Sequence, residues 1–259
     1  MWDVLVIGSG PGGYVAAIRA QQLGLKAACI EKEKLGGVCL NWGCIPSKAL
    51  LKSAEYSRLI HEELNSYGLA ADNPRADFGK VIARSRRVAD QSERGVKFLF
   101  QKYGVTSISG TATIVGPGKV KVTSAAGEEI HEAKHVIIAT GARARTFPGI
   151  EPDGERILTY REAIASPTQP KSAIVLGSGA IGLEFAYFWN AFGTDVTVVE
   201  GAPRLCPLED AEIAAELAKA YKKLGIATEI GTFCKSVKRD GDGVVVTLAD
   251  GREIGRAHV

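Results

Sequence analysis

The size and composition of this chain are those of a globular protein with one large core or two ordinary ones, since 46% of its 259 residues are apolar and 24% are charged. These values exclude a disordered or fibrous protein. The formal net charge is only +3, and the densest basic run, residues 84–87, falls on an amphipathic helical pattern. We expect a solvated helix face there and no nucleic-acid partner.

Cysteine usage and the start of the chain bear on cellular location. A predicted strand begins at Asp3, which leaves no room for a signal or transit peptide. Five cysteines, an odd number, do not match a secreted disulfide scaffold. Apolar stretches fall short of the roughly 20 residues of a membrane span. The sequence therefore predicts a cytoplasmic protein without membrane contact, in which a disulfide is catalytic.

The first elements form a strand–loop–helix–strand unit. Residues 4–7 are a short apolar run, typical of a buried parallel strand. They lead into a glycine-rich loop at 8–13 and an alanine-rich helix at 14–23. A second strand, residues 27–30, ends immediately before Glu31.

The next segment, residues 35–51, carries a cysteine pair, Cys39 and Cys44. In a regular helix, residues five apart lie about 8 Å from each other, whereas the Cα atoms of a disulfide lie about 4.4–6.8 Å apart. We therefore predict that the pair straddles an irregular helix start, which Gly43 makes easier, with the helix continuing from Pro46. The alternatives are two buried thiols or half of a zinc site. The sequence has no second Cys or His pair at ligand spacing, so it favours redox chemistry and predicts no metal.

The remaining elements alternate between helices and strands, and a proline- and glycine-rich stretch at residues 143–155 marks a crossing between two domains. The predicted helices are residues 46–67, 78–103, 183–192 and 209–224. The predicted strands lie within residues 105–122, before a turn near Gly127, at 173–176, at 195–199, around Val237, and at 244–250.

The second half of the chain repeats the first unit. Glu31 follows Gly8 by 23 residues, and Glu200 follows Gly177 by the same interval. In such a unit the glycines permit a tight turn, a close approach of pyrophosphate to the backbone, and close helix–strand packing. The helix N-terminus attracts the phosphates, and the acidic residue accepts hydrogen bonds from ribose hydroxyls. A lone glycine loop can be a plain turn, but two complete units predict two dinucleotide sites, and Glu200 favours NAD over NADP.

The segment GGVCLNWGCIPSKALL, residues 36–51, resembles the redox-disulfide segment of the flavoprotein disulfide reductases, the class I pyridine nucleotide-disulfide oxidoreductases. GSGPGGYVAAIRAQQLG and VIIATG are similar to the family's FAD motifs, and GSGAIGLEFAYFW is similar to its NAD loop. The -CIPSK- ending and Glu200 favour the lipoamide branch over glutathione reductase. Mercuric reductase, the soluble transhydrogenase and a cofactor-binding module without turnover remain the alternatives.

The resemblance implies an α/β fold with two Rossmann-like dinucleotide-binding domains, FAD then NAD, each three-layered with a β-meander. We expect an FAD domain at residues 1–145 and an incomplete NAD domain at 146–253. Family members continue further, with a dimerisation domain that we expect to be absent from this chain. Residues 254–259 are interpreted as a non-native tail, because the family pattern stops there and the hexapeptide matches a translated sequencing adapter.

The activity implied by the resemblance is the FAD-dependent oxidation of protein-bound dihydrolipoamide to lipoamide, with NAD+ as hydride acceptor. Cys39 would exchange with the dithiol substrate, and Cys44 would lie against the flavin as a charge-transfer thiolate. Lys48 would stand near the reactive end of the flavin with Glu184 as its partner, although an ordinary exposed helix lysine is the alternative. The implied partner is a lipoyl domain of a 2-oxo-acid dehydrogenase or glycine-cleavage complex, and the whole enzyme would be a homodimer. We expect the chain by itself to be inactive.

The resemblance also implies two sets of cofactor contacts, whereas Cys29, Cys206 and Cys234 are expected to be incidental thiols. The FAD set is Gly8, Gly10, Pro11, Gly12, Gly13, Glu31, Lys32, Gly37, Val38, Lys48, Gly110, Ala112, Thr140 and Gly141. The NAD set is Gly177, Ser178, Gly179, Ala180, Ile181, Gly182, Glu200 and Val237.

Overall fold

The computed structural model describes residues 1–257 and divides the chain into two compact units. The first unit contains residues 1–46 and 85–143, and the second contains residues 47–84 and 144–257. The second unit thus takes in a segment, residues 47–84, that the sequence placed with the first domain. Which cofactor belongs to which unit stays a prediction.

The first unit is built on a parallel sheet continued by an antiparallel meander, in the order β3-β2-β1-β6-β5-β4. Strand β6 is long enough to belong to both parts: residues 133–138 pair with β1, and residues 127–132 pair with β5. The strands are β1 (Trp2–Ile7), β2 (Ala27–Glu31), β3 (Thr106–Ser109), β4 (Thr111–Gly116), β5 (Lys119–Ser124) and β6 (Gly127–Ile138).

The central strand of this unit has apolar residues on both faces, which explains its three layers. In β1, Val4 and Val6 face a core shared with the helices, while Leu5 and Ile7 face a second core shared with the meander. A strand that is buried on both faces consists of consecutive apolar residues, as residues 4–7 of β1 do. The helices of the unit are α1 (Pro11–Gln22), α2 (Gly37–Trp42), the first residues of α3 (Cys44–Arg58) and most of α4 (Phe78–Tyr103).

The second unit repeats the same layering. Its parallel sheet has the order β7-β8-β9, and its antiparallel meander has the order β10-β11-β12. Val196 and Val198 of β8 face the helices, and Val199 faces the meander. The elements are α5 (Tyr160–Ala163), β7 (Ser172–Leu176), α6 (Ala180–Asn190), β8 (Asp195–Glu200), α7 (Ala211–Lys223), β9 (Ala227–Ile230), β10 (Cys234–Asp240), β11 (Gly243–Leu248) and β12 (Glu253–Ala257). The predicted α/β fold with two Rossmann-like, three-layer units is confirmed.

The segment 47–84 joins the second unit through packing on α6. Phe78 lies 5.3 Å from Phe188, measured between ring centroids, and the Ser57 hydroxyl donates to the Ala191 carbonyl at 3.2 Å. Arg58 is buried there and donates to the side chain of Asn190. Such contacts join residues more than 100 positions apart, which the local helical pattern does not reveal.

Two helix predictions need correction. The helix predicted over residues 46–67 begins at Cys44 and ends at Arg58, and a π turn (Leu59–Glu63) and a 3₁₀ turn (Leu64–Tyr67) follow it. The basic run at 84–87 is a solvated face only in part, because Arg84 and Arg87 are exposed whereas Arg86 is half-buried. Arg84 donates to the carbonyl of Ala49 and Arg86 to the carbonyl of Asn41, and the long apolar stem of an arginine permits the half-buried position of Arg86. The helix predicted over 78–103 is confirmed.

The end of the chain continues the meander as far as it is described. Ile254 pairs with Val246 and packs against the core of the second unit. His258 and Val259, the last residues of the predicted non-native tail, lie outside the described residues. No helix within residues 1–257 is long and apolar enough to cross a membrane.

Candidate dinucleotide and dithiol sites

The first glycine loop connects β1 to α1. At two of its positions, contacts within the protein leave no room for a side chain. Gly8 has φ +97°, and a methyl group there would lie 2.3 Å from the carbonyl oxygen of Ala139. A methyl group on Gly13 would lie 1.8 Å from the carbonyl oxygen of Gly8. Gly10 differs, because a methyl group there would meet no protein atom within 4 Å. The open space over Gly10 is what a phosphate-binding loop needs.

The carboxylate of Glu31 is held by the same loop. Its Oε2 accepts hydrogen bonds from the Ser9 amide at 2.9 Å and the Ser9 hydroxyl at 2.7 Å. Its Oε1 accepts from the amides of Lys32 and Glu33 at 2.8 and 2.9 Å. Four donors match the acceptor capacity of a carboxylate, so a ribose hydroxyl would share or replace the serine hydroxyl. Ser9 is absent from the predicted site residues, although its repeat counterpart, Ser178, is among them.

Several predicted FAD contacts meet at the carboxyl edge of the parallel sheet, since β3, β2, β1 and the end of β6 run in the same direction. The Gly110 amide donates to the Glu31 carbonyl at 2.9 Å. The Cα of Thr140 lies beside Gly8, 3.2 Å from where a methyl group on that glycine would stand. Ligands of open α/β sheets bind at this edge.

Other predicted FAD contacts lie at or near the loop, and their contact with a cofactor stays a prediction. Pro11 and Gly12 open α1 and are exposed, and Lys32 and Gly141 are exposed beyond the ends of β2 and β6. Ala112 is different, because its side chain packs in the core between sheet and meander.

The cysteine segment is fastened to this loop. The amide of Gly36 donates to the Ser9 carbonyl at 3.0 Å, and Gly37 approaches Gly10 so closely that a methyl group on Gly37 would lie 2.7 Å from the Gly10 Cα. Val38 follows in the first turn of α2. The dithiol and the first glycine loop therefore form one local structure.

Cys39 and Cys44 stand on either side of a helix break. Cys39 lies in α2 and is half-buried, whereas Cys44 is the exposed first residue of α3. Between them Gly43 has φ −132° and ψ −122°, and a methyl group there would lie 3.2 Å from the Cys39 Cα. The predicted irregular helix start is confirmed. Both cysteines are thiols in this structure.

The second glycine loop reproduces the first. Gly177 has φ +99°, and a methyl group on Gly182 would lie 2.2 Å from the Gly177 carbonyl oxygen. Gly179 is open, with no protein atom within 4 Å of such a methyl group. Ala180 and Ile181 are exposed in the first turn of α6.

The carboxylate of Glu200 accepts hydrogen bonds from its loop, as the carboxylate of Glu31 does. Its Oε2 accepts from the Ser178 amide at 2.8 Å and hydroxyl at 2.7 Å, and its Oε1 accepts from the Ala202 amide at 2.8 Å. Burial alone would raise the pKa of Glu200, but these hydrogen bonds hold it below its ordinary value. The carboxylate is therefore ionised at neutral pH. Val237 packs its side chain in the core beside Val199, and its contact with a nucleotide stays a prediction.

Lys48 and Glu184 form an ion pair within the second unit. The Lys48 side chain is 62% exposed and the Glu184 side chain 31% exposed. They line an open depression of about 540 Å³ together with Leu51, Tyr187 and Tyr221. Burial raises the pKa of Tyr221 to about 12, so this hydroxyl stays protonated and donates to the Leu183 carbonyl at 2.8 Å. Exposed ion pairs of this kind contribute only about 0–1 kcal/mol to stability.

The other cysteines lie in unreactive surroundings. Burial raises the pKa of the Cys29 thiol to about 12 and also raises the pKa values of Cys206 and Cys234. Within residues 1–257, no group of three or more His, Cys, Asp or Glu side chains is placed to hold a metal ion.

Comparison with known proteins finds relatives that match nearly the whole of this chain. The family model of the pyridine nucleotide-disulphide oxidoreductases matches residues 2–259. A dihydrolipoyl dehydrogenase of Zymomonas mobilis is 50% identical over 251 residues, which are 96% of this chain and 53% of that protein. One of Rhizobium etli is 46% identical over 270 residues, covering 97% of this chain and 56% of that protein. The crystal structure of LpdA from Mycobacterium tuberculosis superposes with a TM-score of 0.89 at 32% identity, over 98% of this chain and 57% of that one. The chain thus spans about half the length of the curated relatives it matches.

Proposed function

Because the chain belongs to the pyridine nucleotide-disulphide oxidoreductase family, we propose that it carries the FAD, NAD and dithiol sites of a dihydrolipoyl dehydrogenase. One observation carries the proposal. The helix break at Gly43 separates Cys39 from Cys44, and the segment holding both is fastened to the first glycine loop through Gly36. That arrangement joins a thiol pair to a dinucleotide-binding loop, which this class of chemistry requires.

The first loop fits FAD. The open space over Gly10 and the N-terminus of α1 would receive the pyrophosphate, and Glu31 would hold the ribose. Bound FAD supplies the two-electron hydride chemistry that protein side chains lack. The residues of this unit bind and orient it.

The second loop fits NAD. Gly179 leaves the same open space, and α6 begins directly after it. The lowered pKa of Glu200 keeps a negative charge where the ribose would lie. That charge favours hydrogen bonds from a 2′-hydroxyl and repels a 2′-phosphate, so NAD is the proposed acceptor.

Thiol–disulfide exchange is the step performed by the chain's own sulfur atoms. A thiolate of dihydrolipoamide attacks the Cys39 sulfur of the oxidised pair, forming a mixed disulfide and releasing Cys44 as a thiolate. The second substrate thiol then attacks its neighbour sulfur, lipoamide closes its own disulfide, and Cys39 leaves as a thiolate. Two electrons pass from substrate to protein, and the two substrate thiol protons are released. The exposure of Cys44 leaves its sulfur open to the flavin in this proposal.

Lys48 and Glu184 are proposed as further catalytic residues. The ion pair positions the Lys48 ammonium group at the rim of the depression beside α6. We also propose a cytoplasmic location, a homodimeric whole enzyme, and a lipoyl domain of a 2-oxo-acid dehydrogenase or glycine-cleavage complex as substrate carrier. The 259 residues by themselves are proposed to bind FAD weakly and to turn over little.

The thiol–flavin interaction gives a direct test. The purified chain is mixed with FAD at a concentration above the Kd and reduced anaerobically with dihydrolipoamide. We expect long-wavelength absorbance from a thiolate beside oxidised flavin in the wild-type chain and in Cys39→Ser, and its loss in Cys44→Ser. Identical spectra for the two variants, or no binding of FAD by the wild type in a fluorescence titration, would refute the proposal. Mercuric ion and NADPH, offered as alternative substrates, test the related oxidoreductases.

A further inference from the structure

Asn41 is buried in α2 between the two cysteines, two residues after Cys39 and three before Cys44. Its side-chain amide donates to the carbonyls of Leu35 and Gly37 at 2.9 and 3.0 Å. The side chain therefore ties the last turn of this short helix to its beginning. Its backbone carbonyl stands near the helix end, where carbonyls have no donor within the helix.

Arg86, on α4 in the same unit, supplies the donor. Its Nη1 donates to the Asn41 carbonyl at 2.7 Å. A cation at a helix C-terminus is also favoured by the helix dipole. Since α2 ends at Trp42 and Gly43 follows, the guanidinium holds the chain immediately before the break between the cysteines.

Burying part of the Arg86 guanidinium costs free energy of folding, which argues against a purely stabilising role. Within residues 1–257 the structure gives no hydrogen-bond partner to its buried Nε and Nη2 or to the buried Oδ1 of Asn41. Burial also lowers the pKa of Arg86, against the opposing effect of Asp90. Apolar residues of similar volume often replace buried charges without loss of stability. The hydrogen bond that the structure gives to the Arg86 guanidinium is thus the one to the Asn41 carbonyl.

We propose that Arg86 is a positioning residue for the Cys39–Cys44 couple. By ending α2 at the Asn41 carbonyl, it holds the break at Gly43 in the form that lets the two sulfurs join. The inference rests on the proposed function, because it concerns the disulfide that the mechanism requires. Loss of the Arg86 hydrogen bond lowers the effective concentration of one thiol for the other and makes the disulfide easier to reduce.

The thiol–disulfide equilibrium of the full chain measures this effect. In a glutathione buffer, both thiols give up their electrons to glutathione disulfide, so one Cys39–Cys44 bond and two glutathione thiols form. Trypsin cleaves after Lys34 and Lys48, and the resulting peptide, residues 35–48, contains Cys39 and Cys44 as its two cysteines. After alkylation, mass spectrometry of this peptide gives the oxidised fraction. For Arg86→Met we expect the equilibrium constant to fall about tenfold, which corresponds to about 30 mV.

Two variants control for charge and for folding. Arg87→Met removes the same charge from an exposed neighbour on α4 and is expected to leave the equilibrium unchanged. Arg86→Lys keeps a charged donor and is expected to restore it to within about threefold. If circular dichroism shows that Arg86→Met does not fold, Arg86→Gln is measured, whose amide is too short to reach Asn41 and which should lower the constant at least about threefold.

The outcomes separate this inference from the proposed function. A wild-type equilibrium in a folded Arg86→Met or Arg86→Gln chain, or an equal shift in Arg87→Met, overturns the role of Arg86 alone. Failure of the wild-type chain to form the Cys39–Cys44 disulfide at any glutathione ratio overturns both.

Discussion

Replacing Gly10 with alanine is expected to weaken FAD binding while leaving the fold intact. The backbone there has φ −65° and ψ −178°, which alanine adopts, and a methyl group meets no protein atom within 4 Å. Reduced freedom of the unfolded chain stabilises the variant by about 0.4–1 kcal/mol, and the poorer helix capping of alanine costs about 0.5–1.5 kcal/mol. The free energy of unfolding should therefore stay within about 1 kcal/mol of wild type. The methyl group occupies the space proposed for the pyrophosphate, so we expect at least a tenfold weaker Kd, about 1.4 kcal/mol.

Gly13→Ala is the matched control, because it adds the same methyl group three residues further along. That group would lie 1.8 Å from the Gly8 carbonyl oxygen, so the backbone must move. Overpacking of this kind costs about 1–3 kcal/mol, and a backbone clash belongs at the upper end. Urea unfolding measures the stability of both variants, and quenching of flavin fluorescence measures FAD binding. The reasoning is refuted if Gly10→Ala loses as much stability as Gly13→Ala, or binds FAD as wild type does.

Three other outcomes test the electrostatics of the structure. Burial raises the pKa of Cys29 to about 12, so iodoacetamide at about pH 8 should modify the exposed Cys44 and spare Cys29; equal labelling, read by peptide mass spectrometry, would contradict the buried position of Cys29. The pKa of Glu200 is lowered on folding, since the hydrogen bonds from its loop outweigh its burial. Such a carboxyl stabilises the fold above its unfolded pKa and loses that contribution as pH falls through its folded pKa, so the Tm of wild type should drop more than that of Glu200→Gln between about pH 6 and pH 3. Parallel Tm curves would exclude this contribution. Lys48→Met and Glu184→Gln should change the free energy of unfolding by less than about 1 kcal/mol in urea titrations, while slowing the reduction of bound FAD by NADH; wild-type rates in both variants would remove the pair from the mechanism.

Local patterns carried most of the fold prediction. The apolar run at residues 4–7 and its counterpart at 173–176 identified the central strands, because a buried parallel strand needs apolar residues on both faces. The glycine loops were recognisable because Gly8 and Gly177 need positive φ, and because Gly13 and Gly182 have no room for a side chain. The helix break at Gly43 followed from the fixed geometry of a helix set against that of a disulfide.

Side-chain partners were less predictable, because hydrogen bonds between distant segments leave no periodic trace in the sequence. Ser9 was missed although it donates twice to Glu31, 22 residues away. The repeat offered a signal, since Ser178 stands at the same place in the second loop. Arg86 was assigned to a solvated helix face, because helical periodicity places a residue on a face but does not show what covers that face.

The sequence by itself determined the two strand–loop–helix units, their acidic residues and the dithiol between them, because each depends on backbone geometry within a few dozen residues. Tertiary structure alone decided that residues 47–84 belong to the second unit, where Lys48 meets the Glu184 that the family resemblance had assigned to it, and that Arg86 reaches the Asn41 carbonyl beside the dithiol. These pairs lie 136 and 45 residues apart. They form only when sheets and helices have packed, since folding brings together side chains whose separation along the chain carries no information about their distance in space.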